Sequence, residues 1–250
     1  MSKAPLLLEK VKVLDLSRIL AAPYCTMLLG DYGATVFKVE HCETGDDTRS
    51  WGPPFTAEGH ESAYFLAVNR NKKSVAVNLK HAEGVAVVRR LAARCDVLVE
   101  NFAAGKLAAM GLGYEALKEV NPRLVYCSLT GFGGTGPYRD RLAYDVMVSG
   151  VGGLLGVTGS PAEPAKVGVA ISDVCAGLYA HGSILAALLA GRGCHIDVAL
   201  LDTQIATLAN VASSFLVSGR LPQRMGTAHA SIVPYESFKG ERTDCLCLTD

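Results

Sequence analysis

Short apolar runs alternate with longer amphipathic segments along most of the chain. Six runs have the length of a buried strand and are bounded by Gly, Pro or polar residues: 11–16, 34–40, 75–79, 96–99, 123–129 and 194–198. Several intervening segments space their apolar residues as one face of a helix does: 24–32, 81–94 and 200–218. Near-continuous apolar runs are typical of parallel strands covered on both faces. The pattern predicts an α/β fold with a Rossmann-like open, mostly parallel sheet and helices on both faces.

Polar residues follow the predicted strands where each strand ends. They are 15–18, Glu40-His41, Asn101-Phe102 and Thr130-Gly131. Parallel sheets of this kind bind their ligands beyond the carboxyl ends of the strands. A long polar stretch, 41–55, follows the second strand and carries the only Trp. Because loops of this length are more often functional than idle, the sequence predicts a ligand site built from loops at this edge.

The stretch 165–190 combines an apolar run, Asp173 and a long segment rich in Ala and Leu. We expect a strand that runs into a helix, with Asp173 at or beside the N-cap of that helix. Asp is a common N-cap because its side chain accepts hydrogen bonds from free backbone N–H groups. A helix N-terminus also stabilises negative charge, which would keep a reactive carboxylate ionised. Local sequence favours capping over catalysis and leaves both roles open.

Residues 131–136 match the pattern G-x-G-x-x-G of dinucleotide-binding loops. That pattern works when it opens a helix and when an acidic residue follows about twenty positions later. Here Pro137 and the charged segment 138–141 follow, and Glu163 lies in a Pro-rich turn. We therefore expect a loop that adapts to a ligand and not a nicotinamide dinucleotide site.

Composition argues against several classes of protein. The 24 basic residues balance 24 acidic ones, so no nucleic-acid partner is expected. Eight cysteines occur without the spacing of a zinc site, which favours free thiols in a reducing compartment and predicts no metal site. No uninterrupted apolar run reaches the length of a membrane span, so no membrane partner is expected. The N-terminus lacks the features of a signal or transit peptide.

Four groups of residues resemble the class III CoA-transferases, the CaiB/BaiF type. They are 13–18 with Ala22-Pro23, 36–40 with 45–49, 99–102 with Met110-Gly111, and Tyr144-Asp145 with Ser172-Asp173 and Gly177. The resemblance implies transfer of CoA from an acyl-CoA, with succinyl-CoA expected, to a free carboxylic acid, with glutarate or a related dicarboxylate expected. Acyl-CoA and the acid are then substrates, and no permanently bound cofactor is expected.

The resemblance makes Asp173 the nucleophile of a covalent mechanism. It also assigns contacts with CoA, carried over one by one from the matching motifs: Ile19, Leu20, His41, Val77, Asn78, Leu79, Lys80, Asn101, Phe102, Met110, Leu142, Ala143, Tyr144 and Asp145. Racemases of the same family pair the equivalent Asp with a His at the position of Tyr144. Since a phenol is a poor acid–base group at neutral pH, transfer is favoured over racemisation.

Two positions depart from the family pattern. His41 and Ala109 stand where family members have Arg, which is expected to weaken CoA binding. A lysine or arginine elsewhere could compensate, and the candidates are Arg18, Lys72, Lys73 and Lys106.

Members of the family are longer, contain a second, smaller domain and form interlocked homodimers. The resemblance assigns 9–220 to the N-terminal part of the large domain, 221–239 to the start of a linker or small domain, and 240–250 to a divergent tail. Most of the second domain would then be missing, together with a glycine-rich loop that covers the nucleophile. Two alternatives follow: a CoA-transferase, or a catalytically impaired truncated fragment that binds CoA or partner chains. The expected location is mitochondrial, and a cytoplasmic location stays open because no transit peptide is seen.

Overall fold

Six parallel strands form the central sheet of the protein, which a computed structural model describes over residues 6–238 and 246–248. The strands are β1 (Lys12–Asp15), β2 (Thr35–Glu40), β3 (Lys72–Ala76), β4 (Val97–Glu100), β5 (Val125–Thr130) and β6 (Cys194–Ala199). Their order across the sheet is β3-β2-β1-β4-β5-β6, and every neighbouring pair is parallel. This is the strand order of a doubly wound sheet, so the predicted fold class is confirmed.

Helices connect the strands and cover both faces of the sheet. They are α1 (Ala21–Asp31), α2 (Ala63–Asn69), α3 (Ala82–Ala92), α4 (Lys106–Ala109), α5 (Tyr114–Lys118), α6 (Asp145–Val151), α7 (Leu154–Val157), α8 (Ile171–Ala190), α9 (Leu200–Thr207) and α10 (Ala209–Ser218). A single 3₁₀ turn, Asp47–Ser50, lies in the long loop after β2.

The core consists of two layers, one on each side of the sheet. Val13 of β1 packs into the layer beneath α1 and α8, whereas its neighbour Leu14 packs into the layer beneath α3 and α5. Both side chains are fully buried. Successive side chains of a strand point to opposite faces, so a strand covered on both faces is apolar at most positions. This explains why the central strands appear in the sequence as near-continuous apolar runs. The buried charged exceptions, Asp15, Lys38, Glu40 and Glu100, lie at or near the carboxyl ends of their strands.

Helices α1 and α8 pack closely because a glycine lies at their contact. A Cβ atom built on Gly177 would lie 2.6 Å from the carbonyl oxygen of Ala21, too close for any other residue without a shift. Ala176 and Ala180 of α8 are fully buried at the same contact. The packing places the first turn of α8, which contains Asp173, beside the first turn of α1.

Three elements differ from their predicted extents. Strand β3 begins at Lys72 instead of Val75, because this edge strand tolerates charged residues that a central strand would not. The run 165–170 ahead of Asp173 pairs with no strand within the described residues. The predicted helix 200–218 divides into α9 and α10, whose axes differ by 73°, at Ala209, which has a left-handed φ of 39°.

An antiparallel pair, β7 (Glu236–Phe238) and β8 (Leu246–Leu248), lies apart from the main sheet. It joins the stretch assigned to the linker with part of the stretch assigned to the divergent tail. Residues 239–245, 249 and 250 of that assignment lie outside the described residues. The domain limits at 220 and 239 therefore stay predictions.

Helix α8 is long and apolar enough to cross a membrane by length and composition, and the bent pair α9 and α10 would also qualify if it formed one span. The expectation that no segment reaches this length is therefore wrong. Within the domain, α8 packs against α1, α9, β5 and β6. Of its most apolar 18-residue window, 22 % is buried inside the structure.

Candidate active site

Two adjoining clefts open at the carboxyl edge of the sheet. The first has a volume of about 310 Å³ and brings together seven of the residues expected to contact CoA: His41, Val77, Asn78, Leu79, Lys80, Phe102 and Met110. The second has a volume of about 320 Å³ and brings the expected nucleophile, Asp173, together with seven such residues: Ile19, Leu20, Asn101, Phe102, Leu142, Ala143 and Tyr144. The sequence-derived set is thus divided between two neighbouring cavities.

Three side chains line both clefts, namely Arg18, Phe102 and Lys106. The Arg18 guanidinium lies 5.8 Å and the Lys106 ammonium 5.5 Å from the centre of the Phe102 ring. This junction lies beyond β1 and β4, whose following helices cover opposite faces of the sheet, and such a switch point is where doubly wound folds bind ligands. A ligand extending from one cleft into the other would pass these two cations.

Asp173 lies in the first turn of α8 but does not cap it. The helix begins at Ile171, and its N-cap residue, Ala170, makes no side-chain capping bond. Instead, the Oδ1 atom of Asp145 in α6 accepts a hydrogen bond of 2.7 Å from the backbone N–H of Ser172. Asp173, expected at or beside the N-cap, thus lies three positions after it, and a carboxylate from a neighbouring helix takes the capping role.

The protonation of Asp173 also differs from expectation. Burial, and secondly the negative charge of Asp145, raise the pKa of Asp173 from its ordinary value of 3.8 to about 7. The helix N-terminus was expected to keep this carboxylate ionised, whereas burial, which disfavours the charged form, raises its pKa toward neutral pH. A carboxyl group that lines a cleft and has so strongly shifted a pKa is a candidate for the reacting group.

Asp145 lies between α6 and α8 and lines neither cleft. It is 8 % exposed and bonded to Ser172, whereas its neighbour Tyr144 lines the second cleft and is 62 % exposed. The resemblance places both residues in contact with CoA. Tyr144 lines the second cleft, whereas Asp145 lies behind its wall, and the charge of Asp145 raises the pKa of Asp173.

Not every basic residue named as a compensating cation can reach a ligand. The Lys72 ammonium is buried and bonds Asp15 Oδ2 at 3.0 Å, Pro23 O at 2.8 Å and Asn69 Oδ1 at 2.9 Å. Burial lowers the pKa of Lys72 to about 8. Lys73 lines neither cleft, whereas Arg18, Lys80 and Lys106 line the first. His41 and the buried Lys38, which is paired with Asp46, complete its basic lining.

His41 has one ring nitrogen turned toward its own loop. Nδ1 accepts from the backbone N–H groups of Glu43 at 3.3 Å and Thr44 at 3.4 Å. An Nδ1 that accepts hydrogen bonds leaves Nε2 as the atom that can donate. A neutral His41 therefore still offers one donor, in place of the fixed cation expected from the family pattern.

The glycine segment 131–136 is a loop, as predicted, and does not open a helix. Its N–H groups are satisfied locally: Gly133 donates to Thr130 Oγ1 at 2.9 Å, and Gly134 donates to Asp197 Oδ2 at 2.7 Å. The next helix, α6, begins only at Asp145. Gly131 lines the second cleft, so the loop contributes a wall to the site.

Sequence reasoning missed several side chains at the second cleft. Arg139, Asp140 and Arg141 follow the glycine loop and line it with Asp173. Arg139 contacts Asp140 only at 3.5 Å, and the Arg141 guanidinium lies 4.1 Å from the centre of the Tyr138 ring. The signal was present as a dense charged segment after Pro137.

Tyr64 of α2 is a second omission. Its pKa is raised by burial and then by the charges of Asp173 and Asp145, so its phenol shares their electrostatic environment. Trp51 packs edge-on against it, with the ring centres 5.1 Å apart. The only Trp of the chain, in the long loop 41–55, was the sequence signal for this aromatic pair.

A doubly wound sheet with clefts at its switch point defines an α/β protein of the ligand-binding type. The chain belongs to CoA-transferase family III, whose model matches residues 8–246. It is 53 % identical over 237 residues to succinyl-CoA:glutarate CoA-transferase of Homo sapiens, covering 93 % of this chain and 54 % of that protein. It is 50 % identical to succinate–glutarate CoA-transferase of Agrobacterium fabrum, covering 92 % and 60 % respectively.

Solved structures agree with this assignment. A CaiB/BaiF family protein from Brucella suis superimposes with a TM-score of 0.87 at 50 % identity, covering 91 % of this chain and 62 % of that one. A protein from M. tuberculosis superimposes with a TM-score of 0.81 at 30 % identity, covering 93 % and 62 %. The chain spans about half the length of the curated relatives it matches.

Proposed function

We propose that this protein transfers CoA from succinyl-CoA to a dicarboxylate such as glutarate, with Asp173 as the nucleophile. The observation that carries the proposal is the position of Asp173 in a cleft that joins a second cleft lined by residues expected to contact CoA. Two similar proteins bear names that state this donor or acceptor. No metal and no bound cofactor is required by this chemistry.

The reaction divides into two symmetrical halves. The Asp173 carboxylate attacks the thioester carbonyl, a mixed anhydride forms and CoA leaves as the thiolate. The thiolate attacks the aspartyl carbonyl, which releases succinate and leaves CoA bound to Asp173 as a thioester. The acceptor carboxylate displaces CoA as a thiolate and forms a new anhydride, and the thiolate then attacks the acceptor's acyl carbon. This last step releases the acyl-CoA product and restores the carboxylate, and the covalent intermediates divide one hard step into easier ones.

The two clefts suit the two ends of an acyl-CoA. Arg18, Lys80 and Lys106 line the first cleft and would hold phosphate groups. The thioester end would then extend past Phe102 toward Asp173 in the second cleft. Burial makes the Asp173 carboxylate less hydrated, which favours attack once the group has lost its proton.

Arg139 and Arg141 support a dicarboxylate acceptor. Both line the cleft that contains Asp173, and neither guanidinium has a carboxylate partner closer than 3.5 Å among the described residues. An acid that presents one carboxylate to the aspartyl thioester could place its second carboxylate against a guanidinium, which binds carboxylates in a bidentate manner. Replacing either Arg by Gln should raise the KM for glutarate about tenfold or more and leave transfer to butyrate unchanged.

The direct test is an assay of the chain with succinyl-CoA and glutarate, read as glutaryl-CoA. Asp173→Asn should abolish product. Asp202→Asn is the matched control, since Asp202 is likewise the third residue of its helix but is exposed and outside both clefts. Loss of product in Asp173→Asn alone supports the proposal, and product from that variant contradicts it.

A second candidate function is a non-catalytic fragment that binds CoA or partner chains. It is favoured by the length of the chain, about half that of its curated relatives. A folded chain that binds CoA but forms no glutaryl-CoA, even at high protein concentration, would select this alternative. Racemisation is disfavoured because Tyr144 is the side chain that stands in the cleft where a racemase would need a His.

A further inference from the structure

The backbone of residues 17–20, hereafter the 17–20 loop, lies where the two clefts meet. Arg18 lines both clefts, and Ile19 and Leu20 line the second. Ile19 has a φ of 75°, a left-handed conformation that is a genuine outlier for a β-branched residue. Such a conformation persists only when surrounding groups determine it. Three side chains from outside the loop supply that restraint.

Asn101 bonds both backbone groups of Arg18. Its Oδ1 accepts from the Arg18 N–H at 2.9 Å, and its Nδ2 donates to the Arg18 carbonyl at 2.6 Å. The side-chain amide thus continues, beyond the ends of β1 and β4, the pairing that the two strands make with each other. Asn101 was expected to contact CoA, whereas in the structure its side-chain amide bonds the backbone of Arg18.

Asp46 and Lys38 hold the residues on either side of Arg18. The Lys38 ammonium donates to the Ser17 carbonyl at 2.8 Å, and Asp46 Oδ1 accepts from the Ile19 N–H at 3.3 Å. Lys38 Nζ and Asp46 Oδ2 lie 2.8 Å apart, and both residues are 1 % exposed. Removing one partner of such a buried pair is costly because it leaves the other charge buried without its counter-charge.

We propose that Asn101 and Asp46 are positioning residues that clamp the 17–20 loop for ligand binding. The clamp fixes the strained Ile19 and sets Leu20 and the start of α1 against the cleft that contains Asp173. It also explains the motif 45–49, in which Asp46 bonds the loop backbone and Asp47 Oδ2 lies 2.7 Å from Arg18 Nη1. This positioning role is additional to the proposed CoA transfer. It rests on that proposed function, because the ligand used in the test is CoA.

The test compares two asparagines that both bond backbone groups. Asn121 donates to the carbonyls of Ala92 at 3.0 Å and Cys95 at 2.8 Å, and it lines neither cleft. The affinity for CoA is measured by titration calorimetry, and backbone hydrogen exchange of the 17–20 loop by mass spectrometry. Asn101→Ala should weaken CoA binding at least about tenfold and speed exchange in the loop. Asn121→Ala should leave both readouts within about twofold, although it also lowers the free energy of unfolding.

The outcomes separate the two proposals. Failure of the unmodified chain to bind CoA at millimolar concentration overturns the proposed function, and the positioning role with it. Binding by the unmodified chain that Asn101→Ala leaves intact, or weakens no more than Asn121→Ala does, overturns only the positioning role. If Asn101→Ala does not fold, Asn101→Asp replaces it. This variant keeps the Oδ1 acceptor and loses the Nδ2 donor, and it should still weaken binding and speed exchange.

Discussion

Two carboxylates at one helix terminus have different tasks. Asp145 accepts the Ser172 N–H and so satisfies the start of α8, while Asp173 faces the second cleft. The charge of Asp145, added to burial, keeps a large fraction of Asp173 protonated near neutral pH. Pairs of titratable groups whose surroundings set them to different roles are typical of catalytic sites. This division leads to two predictions at the scale of single residues.

The first concerns the pH dependence of transfer. Only the ionised form of Asp173 can attack a thioester, so the rate should rise with pH through its pKa of about 7. Asp145→Asn keeps an oxygen for the Ser172 N–H but removes the charge that helps to raise this pKa. The acidic limb of kcat/KM for glutaryl-CoA formation should therefore move to lower pH. An unchanged limb in a folded, active variant would contradict the assignment.

The second concerns stability. The pKa of Asp173 is raised from 3.8 to about 7 on folding, so ionisation opposes folding, and the contribution of this group is lost as pH rises from about 4 through 7. Asp173→Asn removes that penalty. The free energy of unfolding by urea should rise at pH 8 by on the order of 2–4 kcal/mol and change little at pH 4. A gain of equal size at both values would show that the effect is not electrostatic.

For single residues, the sequence predicts which residues belong to the candidate site better than it predicts the role of each one. Asp173 was found because motifs near it resemble a family, and the cleft linings agree with most of the expected contacts. The helix cap was missed because it depends on Asp145, 27 positions away from Ser172 in the chain. The raised pKa was missed because it depends on burial and secondly on the charge of Asp145, and both follow from tertiary packing. Asn101 was likewise predicted to contact the ligand, because no local sequence pattern indicates its hydrogen bonds to Arg18, 83 positions away.

At the scale of elements, the buried strands were the easiest part to predict. A strand covered on both faces is mostly apolar, and the runs that became β1, β2, β4 and β5 were recognisable for this reason, although Asp15, Lys38 and Glu40 are buried within them. The errors lie where tertiary contacts decide. Lys72 was left outside the predicted strand 75–79 because its buried partner, Asp15, is distant in sequence. The break before α10 depends on the backbone conformation of a single alanine.

Packing of α8 on α1 gives a prediction at this scale. Gly177→Ala places a Cβ 2.6 Å from the Ala21 carbonyl oxygen and should lower the free energy of unfolding by about 1–3 kcal/mol. Gly182→Ala on the same helix meets no atom within 4 Å and should raise it by about 0.5–1 kcal/mol, because glycine costs more backbone entropy. Urea unfolding of both variants measures the difference. Equal effects would contradict the close approach of the two helices.

At the scale of the whole molecule, helix α10 presents exposed apolar side chains. Helix α10 has no buried residue, and Leu216 and Val217 are 80 % and 87 % exposed. Large exposed apolar patches mark interaction surfaces. This agrees with the expectation that the chain binds a partner chain, a second copy being the simplest.

We therefore expect the chain to sediment with a mass above 26.3 kDa. Leu216→Asp should shift it toward the monomer, because a charge in an apolar contact is costly to bury. Lys118→Asp, at an exposed position of α5, serves as the control and should leave the mass unchanged. A monomeric unmodified chain at micromolar concentration would contradict association through α10.

The proposed mechanism requires that Asp173 becomes covalently linked during turnover, first to the acyl group and then to CoA. The most direct measurement is to incubate the chain with succinyl-CoA without acceptor, trap the product with hydroxylamine, and identify the modified residue by mass spectrometry. Hydroxylamine converts an aspartyl anhydride or thioester into a stable hydroxamate. A hydroxamate should form on Asp173 when succinyl-CoA is present and not without it. It should be absent from Asp173→Asn. Formation of glutaryl-CoA with no modification of Asp173, or with a hydroxamate on another carboxylate, would contradict it.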